Sequence, residues 1–393
     1  MKQLDQKYIL PTYGRNYINF VKGKNATLWD ENGEEYIDFT SGIGVVSVGH
    51  GNERLSNALC EQAKNIIHIS NLYYIEPQAK LAEKIAKLSG IEGRCFFANS
   101  GAEANEGAIK IARKYGEVDG EIKRYKVITL KNSFHGRTIT TVKATGQEKM
   151  HTTYFGPYPD GFVYADDIKD IENKIDKKTV AVMIELIQGE GGVYPFDKEE
   201  IQQLAKTLKQ KDVLLIVDEV QTGIYRTGEF LASNLYEIEP DIITMAKGLG
   251  GGVPIGAIFT TLDVLKAGDH GSTFGGNYLS TRAGIEVCNI LEEHKNSGLL
   301  DENFIYFEEK LKELGEKYSK LFEEVAGFGM MRALRCRGAE IQNLLYKEAH
   351  NEKVLVLKAG RNSIRFLPPL TITKEEMKKG FERFEAVLKR VSE

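Results

Sequence analysis

The chain has few cysteines, and they form no pattern. Cys60, Cys95, Cys288 and Cys336 lie far apart, with no CxxC pair and no mixed His/Cys cluster. That spacing argues against a disulfide framework and against a structural zinc site. The seven histidines are scattered too, so no metal is expected. Long apolar runs are also missing: the longest, such as Val213–Val217, are far too short to cross a bilayer. Residues Met1–Asn16 are polar and charged, without the apolar stretch of a secretion signal, so a cytoplasmic location is expected. Nor is there an excess of one sign of charge. The 52 Lys+Arg against 56 Asp+Glu leave a formal net charge of −4 with no block of like charge. A nucleic-acid or membrane partner therefore has no support. No low-complexity tract, Pro-rich linker or internal repeat breaks the chain.

What is present is an ordinary globular composition of 393 residues, enough for two or three folding units. Glycine is in excess, 39 residues or about 10% against the usual ~7%, which points to tight turns and close backbone–ligand approaches. Short branched apolar runs at Lys126–Leu130, Val180–Ile184, Val213–Val217, Ile242–Ala246 and Gly256–Thr260 read as buried strands. Helical patterns at Ala104–Tyr115 and Lys198–Lys209 fall between them. The alternation predicts an α/β fold, with a mainly parallel sheet covered on both faces. Met377, Phe381, Phe384, Leu388 and Val391 recur at helical spacing near the end. Three regions are expected: 1–50, an N-terminal segment with a hairpin around Glu31–Glu34; 51–290, a large domain; and 291–393, a smaller α+β domain.

In an open α/β sheet, ligands sit beyond the carboxyl ends of the strands. Beyond these strands come Asp218-Glu219-Val220-Gln221, then Lys247-Gly248, then Glu185 followed by the loop Gln188–Gly192. A further strand at Cys95–Phe97 leads through Asn99-Ser100-Gly101-Ala102-Glu103 into a helix. Each has an ordinary explanation: a capping acid, a solvated loop lysine, a helix N-cap. Together they meet the demands of one cofactor, pyridoxal phosphate. It needs a lysine amine for a Schiff base, a carboxylate for its pyridine nitrogen and backbone donors for its phosphate. Lys247, Asp218 and the Gly101-Ala102 helix start fit those three jobs.

The set Ser100–Asn105, Phe134-His135-Gly136-Arg137, Asp218–Gln221, Lys247-Gly248, Ser272–Asn277 and Arg365–Leu370 resembles the class III (ω-amino) aminotransferases, over the whole chain. That resemblance implies pyridoxal-phosphate fold type I, with a seven-stranded-type sheet in the large domain, the smaller α+β domain, and residues 1–50 packing with the latter at the active-site entrance. It implies cofactor contacts at Gly101, Ala102, Phe134, Asp218, Glu219, Val220, Gln221 and Lys247, with Lys247 and Asp218 catalytic. Thr273 would reach the phosphate of a neighbouring subunit in a homodimer with shared sites. Arg137 and Ser272 would touch substrate. Arg365 would grip the α-carboxylate of glutamate or 2-oxoglutarate, and Glu190 would neutralise Arg365 while an ω-amine is bound.

Within the family, Ser70–Tyr74 and Gly42–Val45 resemble the N-acetylornithine branch. This implies transfer of a δ-amino group to 2-oxoglutarate in arginine biosynthesis. Ornithine, succinylornithine, succinyl-diaminopimelate and 4-aminobutyrate remain as alternative donors. A nucleotide-binding protein is disfavoured because neither a G-x-x-x-x-G-K-[ST] loop nor a dinucleotide glycine triplet occurs. A regulator that binds the cofactor without turnover is disfavoured because no basic helix-turn-helix segment precedes Gly33. His135 reads as a packing residue beside Phe134.

Overall fold

Branched apolar residues build the central sheet. The computed structural model describes residues 1–393, the side chain at position 122 excepted. Seven strands lie in the order Arg94–Ala98, Gly256–Thr260, Ile242–Met245, Leu214–Asp218, Thr179–Ile184, Lys126–Leu130, Phe162–Ala165. Two have the predicted bounds and three shift by a residue at one or both ends. Gly256–Thr260 alone runs antiparallel to both neighbours, and the other strand pairs are parallel. The segment 246–255 that precedes it is too short for a helical crossover, so the chain must turn back.

Successive side chains face opposite sides of a strand. Val182, Ile184, Leu215 and Val217 pack with Ile201, Leu204 and Leu208 of helix Lys198–Gln210. Ala181, Met183, Leu214 and Ile216 pack with Ala104, Ala108, Ile109 and Ala112 of helix Gly101–Tyr115. Both faces are thereby covered. What stays open is the rim where Ala98, Ile184, Asp218 and Met245 end and Gly256 begins.

The first fifty residues join the C-terminal part. Phe20–Lys24, Thr27–Asp30 and Glu35–Asp38 form an antiparallel meander, and Val354–Leu355 adds to Glu35–Asp38 in parallel. Glu376, in the capping box of helix Lys374–Ser392, also accepts from Ala26 N–H and Thr27 Oγ1, both at 2.9 Å. A second four-stranded sheet contains Phe322–Phe328, Met331–Cys336, Ser363–Phe366 and Leu357–Ala359. Helix Tyr278–Asn296 runs through position 290 and packs on helices Glu53–Asn65 and Glu76–Ser89. Among the described residues, no helix is long and apolar enough to cross a membrane.

Phe39, Phe307 and Phe381 interlock where these parts meet, with ring centroids 5.4 Å apart for Phe39–Phe307 and 4.9 Å for Phe307–Phe381. Phe307 is fully buried. Phe307→Ala is expected to destabilise the protein by about 3–5 kcal/mol. Urea unfolding would show a lower midpoint with an unchanged slope.

Candidate functional site

The strand-end rim holds a cavity of about 420 Å³. Lys247 begins the short 3₁₀ turn Lys247–Gly250 immediately after the strand Ile242–Met245 and Ala246, in a left-handed conformation (φ 42°). Burial pushes its amine down to about 8, against the pull of Glu190 and then of Asp218 and Glu185, while Arg365 assists. The lysine therefore gives up its proton far more readily than an exposed lysine does.

Asp218 closes strand Leu214–Asp218 and is buried. Its Oδ2 accepts from Asn105 Nδ2 at 2.8 Å and lies 2.8 Å from His135 Nδ1; its Oδ1 accepts from the Val220 N–H at 3.0 Å. A carboxylate that only accepts requires the imidazole proton on Nδ1. Asn105 is fixed in turn, since Thr244 Oγ1 donates to its Oδ1 at 2.7 Å and its Nδ2 also reaches the His135 carbonyl at 2.7 Å. Among the described residues, none partners the buried His135 Nε2.

Helix Gly101–Tyr115 starts at the rim. Its N-cap Ser100 satisfies the Glu103 N–H, which leaves the Gly101 and Ala102 N–H groups free beside the cavity. A Cβ at Gly101 would sit 2.8 Å from Val220 Cγ1, so glycine lets the helix end close on Val220. The Phe134 N–H donates to Glu185 Oε2 at 3.0 Å, and Glu185 Oε1 accepts from the Gly189 N–H at 3.0 Å. Burial raises the Glu185 carboxyl to about 7; His135 opposes this and Asp218 adds to it.

Two arginines differ sharply. Arg365 is 2% exposed, with Nη1 2.7 Å from Glu190 Oε1 and 3.0 Å from Gln221 Oε1. Burial would raise the Glu190 carboxyl, but Arg365 and Lys247 hold it below its usual range. Arg137 is exposed on the cavity wall, its guanidinium 5.7 Å from the Phe134 ring centroid, and no carboxylate pairs with it among the described residues.

The cavity thus gathers Gly101, Ala102, Phe134, Arg137, Asp218, Val220, Gln221 and Lys247, with Glu190 and Arg365 linked to it through Gln221. Three predicted residues lie elsewhere. Glu219 turns away from the cavity: Oε1 accepts from Ser233 N–H and Oγ at 2.7 Å, and Oε2 from Ala232 N–H at 2.9 Å and Thr222 Oγ1 at 2.7 Å. Its side chain holds the loop 222–233. Ser272 Oγ accepts from Gly275 N–H at 2.9 Å and Asn99 Nδ2 at 3.2 Å, and Thr273 is exposed; neither lines this chain's own cavity. Asn105, Thr244 and Glu185 received no role from the sequence. A lone Asn on the apolar face of helix Gly101–Tyr115 was the available signal for the first. Among the described residues, no group of three or more His, Cys, Asp or Glu side chains is placed to hold a metal.

Residues 9–388 match the family model described as aminotransferase class-III. The chain is 62% identical over 388 residues to a protein of Wolinella succinogenes named acetylornithine aminotransferase, covering 98% of each. The ornithine aminotransferase structure from Toxoplasma gondii superposes with a TM-score of 0.93 at 33% identity, covering 99% of this chain and 94% of that one. The N-acetylornithine aminotransferase structure from Stenotrophomonas maltophilia gives 0.85 at 32% identity, covering 99% of both.

Only an unprotonated amine adds to an aldehyde. In the cofactor-free protein, the rate at which Lys247 captures a carbonyl reagent should climb about tenfold per pH unit below its pKa and level off above about 8. Borohydride trapping followed by peptide mapping checks both the site and the profile.

Proposed function

Because the chain belongs to the class-III aminotransferases, whose cofactor is pyridoxal phosphate, we propose that it transfers the δ-amino group of N²-acetyl-L-ornithine to 2-oxoglutarate. The products are N-acetyl-L-glutamate 5-semialdehyde and L-glutamate. The observation that carries this reading is the pair of unlike arginines: Arg137 open to the cavity, and Arg365 buried and closed by Glu190 at 2.7 Å. Donor and acceptor differ by one carboxylate at the reacting end. A site that serves both needs one permanent carboxylate receptor and one that can be withdrawn.

The residues present fit the cofactor. Asp218 is held as a hydrogen-bond acceptor by Asn105, His135 and Val220, as a partner for a protonated ring nitrogen must be. Gly101 and Ala102 offer free N–H groups at a helix start for the phosphate. Phe134 offers a ring face, Val220 apolar contact and Gln221 an amide for the ring's hydroxyl. When bound, the cofactor supplies an aldehyde that takes up the amine and a ring that withdraws electrons from the carbon bearing it.

Lys247 holds the cofactor at rest. As a free amine it then takes the proton from Cδ of the donor and, in the return half-cycle, delivers one to Cα of glutamate. Arg137 receives the donor's α-carboxylate, and in the return half-cycle the far carboxylate of 2-oxoglutarate. Arg365, freed by rotation of Glu190, takes the α-carboxylate. We assign Ser272 a contact with the substrate. All cofactor residues fall within 51–290, Arg365 within 291–393, and the segment 1–50 contributes Val45 to the cavity wall.

We assign Thr273 to the phosphate site of a second copy in a homodimer. Its exposure, and the exposed Ile67, Leu72, Tyr73, Tyr74 and Phe274 in the same loops or close by, support that assignment. A cytoplasmic place in arginine biosynthesis follows from the same reading.

The likeness to an ornithine aminotransferase keeps free ornithine as the rival donor. Adding N²-acetyl-L-ornithine to the holoenzyme without keto acid is expected to bleach the cofactor's visible band and raise the band of its amine form. A band that persists with this compound but bleaches with ornithine, succinylornithine, succinyl-diaminopimelate or 4-aminobutyrate reassigns the donor. Lys247→Ala should lose turnover by about 10²–10⁴-fold or more. Near-normal turnover in that variant would end the mechanism as assigned.

A further inference from the structure

Glu190 and Arg365 come from distant parts of the chain, yet their backbones are locked together. The turn Gly360–Ser363 links strands Leu357–Ala359 and Ser363–Phe366, so it leads straight into Arg365. It packs against the loop that carries Glu190. The Gly360 N–H donates to the Glu190 carbonyl at 2.9 Å, Arg361 Nη1 to the Gly191 carbonyl at 2.6 Å, and Ser363 Oγ to the Gly192 carbonyl at 3.1 Å. Three successive carbonyls are thus held by one turn. Arg361 Nη1 also reaches Gln188 Oε1 at 3.3 Å, and its guanidinium lies 4.1 Å from the Tyr194 ring centroid.

The two backbones are in contact. A Cβ on Gly360 would sit 2.8 Å from the Gly191 carbonyl oxygen and 3.0 Å from that of Glu190, and a Cβ on Gly192 would overlap the Gly360 carbonyl. From behind, Gln342 Nε2 donates to the Ala359 and Ser363 carbonyls at 2.8 Å each. Arg361 and Asn362 take φ of 51° and 52°, the left-handed region that arginine rarely adopts. That strain is tolerated where surrounding contacts over-determine the residue.

We propose that Arg361 is the positioning residue of the Glu190–Arg365 pair: it fixes the backbone of the Glu190 loop to the turn that bears Arg365, so the pair opens by rotation of the Glu190 side chain and not by displacement of the loop. The proposal rests on the two-arginine reading above and adds to it a direction of effect. A tethered acid keeps a high effective concentration beside Arg365. Loosening the tether leaves Arg365 free more often. The donor's own carboxylate then binds there unproductively, while glutamate, which needs Arg365 free, is spared.

The test is single-turnover kinetics of the holoenzyme with N²-acetyl-L-ornithine and with L-glutamate. The proteins are wild type, Arg361→Ala, Arg361→Lys, Glu190→Ala and the double variant Glu190→Ala/Arg361→Ala. In Arg361→Ala the specificity constant for the donor relative to glutamate should fall about tenfold, or about 1.4 kcal/mol. Arg361→Lys, which keeps a donor for the Gly191 carbonyl, should recover part of that ratio. In the Glu190→Ala background, Arg361→Ala should change the ratio no further. An equal loss in both half-reactions, or the same change of ratio without Glu190, would overturn the proposal as mere structural damage. A wild type inert to N²-acetyl-L-ornithine but reactive with another ω-amine overturns only the donor assignment, and the ratio is then taken with that amine.

Discussion

A carboxylate buried at a strand end is the constraint around which the rim is organised. Removing an ion such as Asp218 from water costs several kcal/mol unless hydrogen bonds offset it. Here the donors come from three places: Asn105 on a helix, His135 on a loop and the chain's own Val220. Each must be held in turn. Thr244, on the neighbouring strand, orients Asn105, and Thr145 Oγ1 accepts from the His135 N–H at 2.9 Å. Satisfying one anion therefore fixes the depth of helix Gly101–Tyr115 against the sheet. That depth brings its first turn, with free N–H groups, to the same cavity.

The neighbouring charges obey the same electrostatics with opposite outcomes. Lys247 has three carboxylates near it, yet burial outweighs them and the amine is easily deprotonated. Glu185 is drawn toward the neutral form by burial, but two backbone N–H groups still favour its charged state. Its position near the midpoint follows from that balance. Because those N–H groups belong to Phe134 and Gly189, the one carboxyl ties the cofactor-facing loop to the loop that carries Glu190.

Periodicity made the strands and flanking helices legible, since buried parallel strands are written as continuous branched apolar runs. Strand-end location then singled out Asp218 and Lys247. Residues next to each other on an extended chain point opposite ways, so Asp218 facing the cavity leaves Glu219 facing the loop 222–233, a conclusion available from strand geometry alone. The reversal of Gly256–Thr260 was less visible, because its composition matches that of its parallel neighbours. Links such as Glu376 to Ala26 and Thr27 were out of reach, being contacts across some 350 residues that no local pattern encodes. Ser272 is half-buried and Thr273 exposed, and neither lines the cavity of its own chain, so the fold of one chain gives no view of their predicted contacts.

On the proposed function, the unequal burial of the Glu190–Arg365 pair would couple ligand binding to opening of the pair. The Glu190 side chain is 31% exposed and that of Arg365 2%. If Glu190 rotates outward, its carboxylate recovers hydration. Arg365 stays buried with Gln221 as its remaining side-chain partner and with Nε already unpartnered. The open state without ligand therefore carries an uncompensated buried cation and is sparsely populated. A substrate whose carboxylate fits Arg365 removes that penalty; one that lacks it does not. The equilibrium can shift only by the difference in affinity for the two states, and this arrangement places nearly all of that difference in a single ionic contact. Selectivity between two half-reactions then needs no movement of the sheet, helix start or lysine that both of them share.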